Sequence, residues 1–194
     1  MRSRVSRRGE RPSPGAFPAV RVIGIGRLER GDDAIGRLAA RRLASAPPRG
    51  VSVSELAGEF GSLLDSWDGA AAVVVIDALQ CGGEPGRVRR FDASRVHVPA
   101  RPASSTHGFG LAEAVEIGRL LHRLPPALVV FGVEGECFTA GAGLSPRVAG
   151  ALPALVRAVR AEAVRLAAAR SRGRPPGSRA ALARDGQRRA PSGR

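Results

Sequence analysis

The 194-residue chain has no lysine, no tyrosine, two cysteines and one tryptophan, and aromatic residues make up 4% of it. Without lysine there is no Gly-Lys-Ser/Thr, so a Walker-type phosphate loop is ruled out. Cys81 and Cys137 stand far apart and in no CxxC spacing. That excludes a disulfide framework or a cysteine-built zinc cluster and predicts two reduced thiols. No apolar stretch of signal-peptide length follows the N-terminal arginines, and none reaches the roughly twenty residues of a membrane-spanning helix. A soluble, cytoplasmic protein with no membrane partner is expected. No internal repeat is visible.

A net charge of +14 suggests nucleic acid at first sight, but its distribution argues against that. Residues 1–18 hold five arginines against Glu10 (+4) and residues 170–194 hold eight against Asp185 (+7), leaving +3 for the body. Both ends are rich in Arg, Pro, Gly and Ser, a composition that cannot bury enough apolar surface to order itself. The expected organisation is a disordered tail over 1–18, one domain over 19–169 and a second disordered tail over 170–194. No aromatic residues alternate with the tail arginines to stack on bases, so nucleic acid is not an expected partner. The 43% hydrophobic content suffices for a sizeable core.

The body alternates between β-branched runs and helical patterns separated by Gly/Pro breaks. Strands are expected near 19–25, 51–56, 71–77 and 128–133, and helices near 33–44, 58–67, 111–123 and 146–169. The run from Ala71 to Ile76 has no alternation, which marks a central strand buried on both faces. Residues 87–91 read as an antiparallel edge strand, and 93–106 as a long loop of the kind that usually carries function. Ser145 and Pro146 read as N-cap and first residue of the last helix. Its inward positions are expected to be Val148, Leu152, Leu155, Val156, Val159, Val164 and Leu166, with a bend at Pro153. This order predicts an α/β fold: a single three-layer domain whose twisted, mostly parallel sheet of about five strands is flanked by helices.

The stretch from Val20 to Gly36 reads as strand, loop and helix, and in open α/β sheets such a loop lies at the carboxyl edge where ligands bind. Gly24 and Gly26 begin a dinucleotide fingerprint, but its third glycine is replaced by Glu29, whose carboxylate would repel a pyrophosphate. The loop offers Asp32 and Asp33 instead, at a helix start where the dipole keeps acids ionised. Acidic oxygens there suit a cation. Asp77 ends the central strand at the same edge, and His107 closes the long loop.

Asp32, Asp33, Asp77 and His107 therefore form the candidate site, although each alone has a plainer explanation. Asp32 can be the helix N-cap, Asp33 a first-turn acid, Asp77 a hydrogen-bonded turn former and His107 a brace for the following helix. Together, two carboxylates and an imidazole make a three-ligand site for a borderline divalent metal such as zinc or nickel, with positions left open. His97 and His122 are read as structural. Ser104, Ser105 and Cys137 lack a nucleophile motif.

Four separated motifs carry a family resemblance: Gly31-Asp32-Asp33-Ala34-Ile35-Gly36 after the glycine loop, Ile76-Asp77-Ala78, Ser105-Thr106-His107-Gly108-Phe109-Gly110-Leu111, and Gly132-Val133-Glu134-Gly135 followed by Gly143-Leu144-Ser145-Pro146. In this order they resemble the hydrogenase maturation proteases over about residues 20–168. The resemblance implies an endopeptidase that removes the C-terminal extension of a nickel-loaded [NiFe]-hydrogenase large-subunit precursor. It implies metal-binding residues at Asp33, Asp77 and His107, with nickel carried by the precursor as the divalent metal, and Asp32 as a general base or merely a cap. A monomer is expected. Arg27 departs from the asparagine usual in the family. That departure motivates a second reading, a nickel-dependent chaperone that binds a hydrogenase subunit without cutting; a nucleotide-binding protein is a third, disfavoured by the acids in the loop.

Overall fold

Five β-branched runs become the strands β1 (Val20–Ile25), β2 (Val51–Leu56), β3 (Ala72–Leu79), β4 (Val88–Asp92) and β5 (Leu128–Glu134). The helices are α1 (Ile35–Ala44), α2 (Phe60–Trp67), α3 (Leu111–Leu120) and α4 (Pro146–Arg172), with a 3-10 turn over Gly31–Ala34 ahead of α1. The computed structural model describes residues 20–57, 60–98 and 110–172. The expected tail over 1–18, most of that over 170–194, and the segment holding Ser104, Ser105 and His107 lie outside the described residues.

The sheet runs β2-β1-β3-β5-β4. β1 pairs in parallel with β2 and β3, β3 pairs in parallel with β5, and β4 is the antiparallel edge expected from residues 87–91. The chain leaves β1 for β2 on one side and later returns to place β3 on the other. The gap between β1 and β3 is therefore the point where the winding reverses, the place where open α/β sheets usually bind ligands at the carboxyl ends of their strands.

Period-two alternation sorts β3 between two cores. Ala72, Val74, Ile76 and Ala78 pack with Ile35, Leu43, Leu155 and Val159 of α1 and α4. Val73 and Val75 pack with Leu63, Trp67, Ala114 and Val115 of α2 and α3. The result is the three-layer α/β domain expected, with a central strand buried along its whole length. Each fully buried Val, Leu or Ile contributes about 1.5–3 kcal/mol, so these two cores dominate the stability.

Several boundaries differ from the sequence reading. β3 continues to Leu79, so Asp77 lies inside the strand rather than at its end. α3 stops at Leu120 instead of reaching residue 123. His122 takes φ 53°, its N–H donates to Arg119 O (3.2 Å), and Arg123 N–H donates to Gly118 O (2.8 Å). This is a Schellman closure, with histidine where glycine is commoner. Val164 is 49% exposed rather than inward, because it falls one residue, about 100°, past Ala163 on the buried stripe. α4 is one continuous helix through Pro153, which lies on its exposed side; Ala149, whose carbonyl loses its helical partner, is exposed too. Both cysteines are free thiols.

Candidate active site

Asp33 reaches the carboxyl edge because the chain turns sharply after β1. Gly26 has φ 131°, and a Cβ there would lie 1.8 Å from the Asp33 carbonyl oxygen. Only glycine permits both the positive φ and this approach. The loop then closes on its own acid: Arg27 N–H donates to Asp33 Oδ2 across 2.8 Å. Asp33 is 6% exposed.

Asp77 comes from the neighbouring strand and is 8% exposed, its Oδ1 accepting the N–H of Ala78 at 2.8 Å. It shares the parity of Val73 and Val75, which puts it on the sheet face covered by α2 and α3. Gly36 brings the two acid-bearing segments to one place. A Cβ on Gly36 would stand 2.3 Å from the carbonyl oxygens of both Ile25 and Ile76. The start of α1 thus rests on the carboxyl ends of β1 and β3 at once, and the 3-10 turn holding Asp33 packs against β3.

His107 lies outside the described residues, three positions before the N-cap of α3, Gly110. Among the described residues no three His, Cys, Asp or Glu side chains gather to hold a metal. Asp33, in the 3-10 turn before α1, and Asp77, near the end of β3, are both buried carboxyl side chains near the reversal point. His97, read as structural, is exposed and pairs through Nδ1 with Glu116 Oε1 at 2.8 Å.

Asp32, next to Asp33 in sequence, has a different environment. It is fully buried and caps no helix; the N-cap of the 3-10 turn is Arg30. Its Oδ2 accepts the N–H groups of Glu136 and Cys137, both at 2.9 Å, and its Oδ1 accepts that of Ser145 at 2.7 Å. Burial pushes its pKa up, but the amides of Cys137, Ser145 and Glu136 outweigh burial and hold the carboxyl below its ordinary value.

Glu134 was not singled out as a site residue by the sequence reading. It is 1% exposed at the end of β5, and its Oε1 accepts the N–H of Cys81 at 2.6 Å. The turn after β3 is wrapped around it: Gly86 N–H donates to its carbonyl, and its own N–H donates to Arg87 O. The signal was present, since an acid directly after a buried apolar run is what marked Asp77.

A family model described as hydrogenase maturation protease matches residues 56–162, which include Asp77 but not the Asp32-Asp33 loop. No curated protein matches the chain significantly. Among solved structures, the hydrogenase maturating endopeptidase HybD from Escherichia coli is similar at 24% identity, with 79% of this chain and 93% of that one covered and a TM-score of 0.64. The hydrogenase maturation protease HycI from Thermococcus kodakarensis is similar at 23% identity over 76% of this chain and 93% of its own, TM-score 0.58. These likenesses show a shared fold. The family match spans more than half of the sequence, and the chain therefore belongs to the hydrogenase maturation protease family and is a peptidase.

Proposed function

We propose that this peptidase removes the C-terminal extension of a nickel-loaded [NiFe]-hydrogenase large-subunit precursor in the cytoplasm, with Asp33, Asp77 and His107 completing the coordination of nickel carried by the precursor. The supporting observation is the pair of buried acids at the β1/β3 reversal point, in a chain of this family. Nickel brought by the precursor would supply Lewis-acid chemistry beside the scissile bond. The protein's own part is to hold two anionic oxygens rigidly at that point, through the Arg27–Asp33 bond and the pairing of β3 with β1 and β5.

The experiment is to mix the purified protein with nickel-loaded precursor and weigh the product by mass spectrometry. Loss of the C-terminal tail with wild type, and none with Asp77→Ala, is the expected result; an intact precursor with wild type removes the proposal. The chaperone reading drew on Arg27. Arg27 contacts Asp33 through its backbone N–H, which any residue but proline supplies, and its side chain is exposed. The departure from asparagine therefore costs no bond to Asp33, and this favours the protease. A stable, uncleaved complex with the precursor would favour the chaperone.

A further inference from the structure

We propose that Asp32 is a positioning residue: its buried carboxylate locks the loop that presents Asp33 to the loop between β5 and α4. The inference rests on the functional reading above only in assigning Asp33 to the site. Besides the three amides on Asp32, four more hydrogen bonds cross the same seam. Asp32 N–H donates to Cys137 O (2.7 Å), Gly31 N–H to Ala142 O (3.0 Å), Gly141 N–H to Glu29 O (2.7 Å), and Arg30 Nε to Phe138 O (3.1 Å). The two strips also touch without side chains between them, since a Cβ on Gly31 would lie 2.3 Å from Cys137 O.

The charge on Asp32 is matched to this task. An ionised carboxylate accepts hydrogen bonds only, and Asp32 meets three N–H donors from the loop between β5 and α4. A general base must be reachable by the proton it takes, and Asp32 is fully buried with both oxygens engaged. Consecutive acids thus divide the work. Asp32 turns inward and fixes the strip from Glu29 to Asp32, and Asp33, one residue on, is held where Arg27 N–H can close on it.

Amide hydrogen exchange on the full chain, wild type against Asp32→Asn, tests this. An asparagine oxygen can keep the N–H groups of Glu136 and Cys137, but its NH2 then meets the N–H of Ser145, donor against donor. Exchange at Ser145 should quicken about tenfold or more. Exchange at the Arg27 amide, which touches Asp33 and not Asp32, should quicken with it. Cleavage should slow through kcat with the shape of its pH profile unchanged.

A rise confined to Ser145 and its neighbours, with Arg27 unmoved, overturns the proposal, because Asp32 would then brace only the distant loop. Loss of one limb of the pH profile without any change in exchange overturns it in favour of a general base. If wild type cleaves no precursor yet the Arg27 effect is seen, the positioning role stands and the protease reading fails. Should Asp32→Asn not fold, Arg30→Ala breaks an exposed bond of the same seam. It should give a smaller rise at Arg27, and no rise there is equally fatal.

Discussion

Gly24 of β1 and Gly36 of α1 press backbone against backbone: a Cβ on Gly24 would lie 2.2 Å from the Gly36 carbonyl oxygen. This contact, with the seating of Gly36 over Ile25 and Ile76, sets the height of α1 above the sheet. Asp33 and Asp77 are chained to those same strand ends.

Gly36→Ala should therefore be unusually costly for so small a change. Both atoms that its Cβ would meet at 2.3 Å are backbone oxygens, so α1 or a strand end must shift. A loss of about 3 kcal/mol is expected, at the upper end for overpacking. Trp67, the single tryptophan and 1% exposed, makes denaturant unfolding readable by emission. A midpoint near that of wild type would show that α1 can lift without penalty.

Asp33→Asn should separate folding from function. The asparagine oxygen can still accept the N–H of Arg27, so stability should change by less than about 1 kcal/mol. The anionic donor is gone, and precursor cleavage should be lost. Retained cleavage in a well-folded variant would remove Asp33 from the proposed ligand set.

Acid should weaken the fold through Asp32 with a definite sign. Its folded pKa is depressed, so its stabilising contribution is complete above the unfolded value of 3.8 and is lost as pH falls through the lower folded value. Glu162 and Glu55 behave alike below 4.5; for each, burial raises the pKa and paired arginines outweigh it. The stability gap between wild type and Asp32→Asn should accordingly narrow as pH drops below 3.8. Unfolding curves in which the gap stays constant would contradict the lowered pKa.

Glu162 anchors the antiparallel edge. Its Oε1 receives Arg90 of β4 at 2.8 Å and Arg165 of its own helix, α4. Arg90 and Arg165 are partly exposed, which reduces what each pair contributes. Glu162→Ala should cost about 1–2 kcal/mol and speed amide exchange in β4 more than in β3. Equal effects on both strands would mean that the pair does not specifically hold the edge.

Much of the fold was legible because its signals are local. The short, β-branched, unalternating run before Asp77 points to a strand covered on both faces, and that strand is buried along its length. The apolar spacing from Val148 to Leu166 defined α4, and it erred only at Val164, where one residue of helical rotation separates inside from outside. The end of α3 was misread because the closure at His122 uses a left-handed residue that composition does not advertise.

By itself the sequence determined the order of strands and helices, the failure of both phosphate-binding patterns and the family likeness, because each rests on residue types at short, fixed spacings. Only the tertiary structure decided which of two adjacent aspartates turns inward. The amides that claim Asp32 come from residues 104 to 113 positions away, and a side chain in a loop points wherever unpaired donors await it. Glu134 follows the same rule: its acid is visible in the chain, but the turn that closes around it exists only once β3 and β5 have paired.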